Sequence, residues 1–230
     1  MPRHLNKTGK IDLIFWFHGW NNNIDTAMIF YEIERQFIVS KRNAILVMAE
    51  TAKNAPDSYG GKLENPGVFK ALVADIMAEL KGHGIVNQKS EPGNIVLAGH
   101  SGAYRIIAFI LEKGRVPVQE VYLFDALYSQ TDKFMSWIQQ DKEHHFVNWF
   151  TNHGGGTDEM SIKMMHQLDD DSLSYTLIEE QSLNSISIKT NRVLFVHSMR
   201  EHNVIINQPD NLKLLLENSF VLKPLLNQAN

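Results

Sequence analysis

Cysteine is absent from the 230 residues, which excludes disulfides, thiolate zinc sites and a cysteine nucleophile while leaving the redox compartment open. A basic excess is absent too. Lys and Arg number 22 against 26 Asp and Glu, a formal net charge of −4, so the chain lacks the electrostatic footprint of a nucleic-acid or anionic-membrane binder. No apolar run approaches the roughly 18–20 residues of a transmembrane helix. Met1 to Lys10 is polar and basic, without the apolar stretch of a signal peptide. The expectation is a protein made in the cytoplasm, or one whose leader is removed. Gly154-Gly155-Gly156 lacks both the lysine of a P-loop and the spacing of a dinucleotide fingerprint. The adjacent His144 and His145 would point to opposite faces of an extended strand. Nucleotide binding is therefore disfavoured, and the two histidines are poor joint ligands for one metal.

What is present fits one ordinary α/β domain spanning 1–230: 43% hydrophobic and 21% charged residues, with no repeat and no linker-like segment. Ile11–Phe17, Ala44–Ala49, Asn94–Ala98, Glu120–Phe124, Phe146–Phe150 and Arg192–His197 are short, nearly continuous apolar runs rich in β-branched and aromatic residues. Such runs read as strands buried on both faces. Between them lie amphipathic patterns. Asp25–Lys41 carries Ile29, Ile33 and Phe37 with Phe30 and Ile38 widening the stripe, and Val68, Leu72, Ile76 and Leu80 repeat that spacing before Gly82. Ala103, Ile106, Ile107, Ile110 and Leu111 form a third stripe closed by Gly114. Strand and helix alternate, which predicts a mostly parallel sheet of about six strands with helices on both faces, a three-layer α/β/α fold. Its ligand crevice lies at the carboxyl ends of the strands. Thr157–Asn191 is either a cap over that crevice or a surface connection.

The strand ending at Ala98 runs through Gly99-His100-Ser101-Gly102-Ala103 into the third helical pattern. A serine on so sharp a strand-to-helix turn has its hydroxyl lifted above the sheet edge, with small residues two before and two after. The bland reading is that Ser101 merely caps the helix. A nucleophilic serine needs a base, and the base needs an orienting group. His202 stands in the loop after the last predicted strand and is preferred to His197, which falls at the strand's end where it would be packed or held by hydrogen bonds. Asp125 ends the apolar strand Glu120–Phe124, where a carboxylate requires a partner. Asp158 follows the next strand and is held in reserve as the acid, since it is also placed to cap a helix. Trp20 and Gly102 are expected to supply backbone N–H donors to an oxyanion, because Gly19 allows the chain to approach closely. His18 reads as a structural residue bonded to nearby backbone.

Phe17-His18-Gly19-Trp20, Gly99-His100-Ser101-Gly102-Ala103 and the late His202 together resemble the α/β-hydrolase superfamily, and the resemblance covers nearly the whole chain from Ile11 onward. Ala103 departs from its pattern by replacing a glycine, and the first two strands of the superfamily's sheet are missing. The resemblance implies a serine esterase or lipase-like enzyme without cofactor or metal, acting on a small-molecule or acyl substrate. In most members the acid follows the later strand, which favours Asp158. In some lipases it follows the earlier one, which favours Asp125. An amidase or peptidase using the same residues, and a noncatalytic binding protein on the same fold, are the alternatives. The substrate and the oligomeric state are left open.

Overall fold

The six apolar runs all form strands. In the computed structural model, which describes Leu5, residues 9–153 and residues 155–226, they are β1 (Lys10–Phe17), β2 (Ala44–Met48), β3 (Glu91–His100), β4 (Glu120–Phe124), β5 (His145–Thr151) and β7 (Val193–Ser198). Residues 1–4 and 6–8 of the polar start, Gly154 of the glycine-rich turn, and 227–230 lie outside the described residues. A further strand, β6 (Thr176–Glu179), pairs with β7, so among the described residues the sheet has seven strands, in the order β2-β1-β3-β4-β5-β7-β6. Every pairing is parallel. Because parallel strands are bridged by crossovers that cover both faces, each interior strand must be apolar on both sides. On β1, Leu13, Phe15 and Phe17 enter one core layer while Ile14 and Trp16 enter the other. Each such side chain contributes on the order of 1.5–3 kcal/mol of burial.

One layer is packed by α3 (Val68–Gly82), α4 (Tyr104–Lys113), α5 (Thr131–Gln140) and α6 (Thr157–Asp170). The other is packed by α1 (Ile24–Phe30), α2 (Ile33–Ser40), α7 (Ser185–Thr190) and α8 (Asn211–Glu217). Thr157–Asn191 thus builds α6, the edge strand and α7. No helix among the described residues is long and apolar enough to cross a membrane.

Two helical stripes differ from expectation. Asp25–Lys41 is not one helix: Glu32 adopts φ 52°, and the chain breaks into α1 and α2. The break turns Tyr31 inward, and it leaves Ile29, Phe30 and Ile38 on the surface at 75%, 51% and 48% exposure. Ile33 and Phe37 are buried as the spacing implies. In α3 the deepest line is Phe69, Val73, Met77 and Leu80, one residue along from the expected stripe, whose first three members are half-buried. A helix with so wide an apolar arc fits two parallel lines at the same spacing.

The amino ends of the strands are tied together by a buried carboxylate. Glu120 accepts from Ser219 Oγ (2.6 Å), the Phe220 N–H (2.5 Å) and the Tyr122 hydroxyl, and lies 3.4 Å from Nδ1 of the equally buried His145. Burial pushes the Glu120 carboxyl up, but the neighbouring His145, with the Ser219 and Tyr122 hydrogen bonds, outweighs it and holds it below its ordinary 4.5. A carboxyl depressed on folding contributes stability that is full above its unfolded value and lost as pH falls through the folded one. Glu120→Ala is expected to lower the unfolding free energy by about 3–5 kcal/mol at neutral pH, as for any broken buried pair, measured by urea denaturation. Glu120→Gln should flatten the acid limb of stability below the ordinary carboxyl range; an unchanged limb would mean that this carboxylate is not what acid titrates.

Candidate active site

The strand order reverses between β1 and β3, since the chain leaves β1 toward β2 and leaves β3 toward β4. In open α/β sheets, that reversal opens a crevice at the carboxyl ends of the two strands. The ends here are Phe17-His18-Gly19-Trp20 and His100-Ser101. A Cβ added to Gly19 would lie 2.6 Å from Ser101 Cβ, so only glycine lets the two turns approach. Ser101 itself holds φ 55°, an unusual left-handed backbone for a residue with a side chain. The turn passes into α4 within three residues. Gly99 makes the tightness possible: a Cβ there would sit 2.4 Å from the methyl of Ala103.

The loop after Gly19 is fixed on several sides. His18 Nδ1 donates to Gly19 O (2.8 Å), and its Nε2 lies 2.6 Å from Glu50 Oε1 and 3.2 Å from Thr51 Oγ1. Asn23 caps α1 by accepting from Thr26 N, and donates to Asn54 Oδ1 at 2.8 Å. Asn21 N donates to Ala55 O. The Trp20 indole lies across the bare Cα of Gly102, where a Cβ would come within 2.2 Å of its Cδ1, and its N–H donates to Ser58 Oγ. Trp20 and Gly102, the residues expected to supply oxyanion donors, thus touch through the indole and the Gly102 Cα.

His202 follows β7 and opens a short turn through Val204. Its Nδ1 lies 2.5 Å from Asp125 Oδ2. A carboxylate only accepts, so Nδ1 carries the proton and Nε2 of the neutral ring is left as the acceptor. Asp125 is fully buried at the end of β4 with φ 46°. Its other donors are Thr151 N (3.0 Å), Thr151 Oγ1 (3.2 Å) and Thr157 Oγ1. Asp158 stands on the first turn of α6, and among the described residues no hydrogen bond joins it to His202; its neighbour Thr157 is the residue that reaches Asp125. His197 is held instead between Glu179 (3.0 Å) and Asn152 (2.9 Å).

His100 supplies a second hold on His202. Its Nε2 donates to the His202 carbonyl at 3.0 Å, its Nδ1 lies 3.1 Å from the Tyr31 hydroxyl, and the two imidazoles are 4.4 Å apart. The carbonyl can only accept, so Nδ1 accepts from Tyr31. Burial first, and the neighbouring His202 second, lower His100 to about 3. It stays neutral and does not act as a second base. Tyr128, which the motifs did not single out, hydrogen-bonds Ser101 through its side chain and is stacked on Trp20 with centroids 6.4 Å apart. Its ring also meets that of His202 edge-on at 6.5 Å. The only available sequence signal was its place three residues after Asp125 on the same crevice loop.

No protein-family model matches the chain, and no curated protein does. Solved structures do match. A protein from Bacillus cereus ATCC 10987 superposes with a TM-score of 0.55 at 14% identity, covering 92% of this chain and 58% of its own. The MPT51 protein of Mycobacterium tuberculosis gives 0.54 at 11% identity, covering 91% and 88%, and an S-formylglutathione hydrolase from Agrobacterium tumefaciens gives 0.53 at 11%, covering 91% and 84%. This chain thus spans little more than half the length of the first. At such identities the likeness is one of fold: the chain has the α/β-hydrolase fold, with the all-parallel sheet and covering helices found above.

The Gly99–Ala103 contact is directly testable. Gly99→Ala should cost about 1–3 kcal/mol by overpacking, read from chemical denaturation, and adding Ala103→Gly should recover part of it. Phe17 O and Ile107 Cδ1, each 3.1 Å from the new methyl, keep the recovery incomplete. Losses that simply add would refute the contact.

Proposed function

We propose that this α/β-hydrolase-fold chain is a serine hydrolase that cleaves an ester or related acyl bond through an acyl-enzyme on Ser101. The observation that carries the proposal is the 2.5 Å contact between His202 Nδ1 and the buried Asp125. It fixes the tautomer that leaves Nε2 basic, and His202 is bonded through its carbonyl to His100, the neighbour of the strained Ser101. Ser101 Oγ attacks the acyl carbon while His202 Nε2 takes its proton. The carbonyl electron pair moves onto oxygen, where the N–H groups of Trp20 and Gly102 receive it. As the intermediate collapses, the bond to the leaving group breaks, and that group takes the proton from His202. Water then repeats the sequence to release the acid. Asp125 orients the imidazole and offsets its transient charge, and Asp158 has no part.

A fluorophosphonate probe should label the wild-type protein, and Ser101→Ala should abolish the labelling; an unlabelled wild type would overturn the proposal. Asp125→Asn is expected to lower kcat by about 10⁴-fold, as loss of the orienting acid does elsewhere, with Asp158→Asn close to wild type on a p-nitrophenyl ester. The opposite ranking would transfer the role to Asp158. Comparing a short-chain ester with the matching anilide separates esterase from amidase.

A further inference from the structure

Trp20, Tyr104, Tyr128 and His202 form one aromatic group around Ser101, and Tyr128 is at its centre. The Tyr128 ring is stacked on Trp20 at 19° and 6.4 Å, tilted against Tyr104 at 5.8 Å and edge-on to His202 at 6.5 Å. Three neighbours, from the loop after β1, the start of α4 and the turn after β7, leave a ring so placed little rotational freedom. Its side chain interacts with that of Ser101. Trp20 also lies over Gly102, so Tyr128 shares its wall of the crevice with the residues whose N–H groups face the proposed oxyanion.

We propose that Tyr128 is a catalytic residue, its hydroxyl donating a third hydrogen bond to the oxygen that becomes negative when Ser101 attacks. The assignment rests on the serine-hydrolase proposal and extends it. In the resting site Ser101 Oγ has one proton and two lone pairs. The Ser101 side chain is paired with that of Tyr128, and on attack its proton goes to His202 Nε2. When the Oγ–carbon bond forms, Oγ becomes an ester-like oxygen and a poorer acceptor. The former carbonyl oxygen, bonded to the same carbon, takes on the charge and becomes a better one. The phenol O–H therefore donates to the oxyanion as it forms, and keeps its proton throughout. An interaction stronger in the transition state than in the resting site raises the rate of the chemical step. The phenol is suited to this, because burial and the nearby Asp125 push it up to about 12 and it stays a donor at any ordinary working pH.

Tyr128→Phe keeps the ring and its stacking while removing the donor. The rate of Ser101 labelling by a fluorophosphonate should fall about 10²-fold, the usual loss for one oxyanion donor. The kcat for p-nitrophenyl acetate should fall by the same factor, with KM nearly unchanged and no shift in the pH profile. Binding of a trifluoromethyl ketone, which forms the tetrahedral adduct, should weaken in parallel. Labelling of Tyr128→Phe at the wild-type rate overturns the assignment, and so does a slowed variant whose ketone affinity is intact, since that pattern belongs to a packing role. A wild-type protein that does not label at all defeats the serine-hydrolase proposal itself, a result distinguishable from either.

Discussion

A carboxylate with no water around it must be surrounded by donors, and in this protein that requirement organises the carboxyl edge of the sheet. Asp125 is entirely buried, and its two oxygens accept from Thr151 twice, from Thr157 and from His202. Those donors come from the two ends of the β5–α6 connection and from the loop after β7, so one buried group draws both segments to the end of β4. Leaving any of its lone pairs unmatched in so apolar a setting costs more than the bond itself contributes. The loops therefore have little freedom to rearrange around it, and His202 is delivered to the same crevice whatever chemistry follows.

The strained backbone at the site is held in place by the packing below it. Ser101 and Asp125 both adopt positive φ, at the ends of adjacent strands whose register sets His100 against Phe124. Such conformations cost on the order of 1–3 kcal/mol each and persist only where the surroundings over-determine them. Here the surroundings are β3 and β4, whose central residues are wholly buried in both core layers. At the opposite edge Glu120 does for the amino ends of the strands what Asp125 does for the carboxyl ends. It pins the segment after α8 beneath the sheet.

How far these features are legible in the sequence depends on how local their causes are. The six apolar strands could be read because a strand covered on both faces has little choice of composition. The edge strand β6 could not, since Thr176–Glu179 alternates between half-buried and exposed residues and resembles a surface loop. The helix break at Glu32 was hidden because its cause is distant: Tyr31 turns inward to a histidine 69 positions away. The serine turn was visible because its glycine, serine and small-residue spacing is confined to five positions. Spacing could not choose between Asp125 and Asp158, since each follows a strand at the same edge. The difference lies in which side chain enters the crevice, and Thr157, not Asp158, is the α6 residue that does. Tyr128 belonged to no motif and became visible only through its neighbours.

His202 is held from two sides by devices of different kinds. Asp125 grips the ring through Nδ1, while His100 grips the backbone through the carbonyl. The first grip sets the tautomer, and the second sets where the ring is anchored. They also reach into different halves of the molecule, because Asp125 is bonded into β5 and α6 whereas His100 is bonded to Tyr31 at the junction of α1 and α2. A charged His100 would repel a protonated His202 across 4.4 Å. Its burial removes that conflict, and the same burial makes its hydrogen bond to the His202 carbonyl costly to break. The histidine of the serine turn is thus useful because it stays neutral: a neutral, doubly hydrogen-bonded imidazole can support a neighbour that must gain and lose a proton.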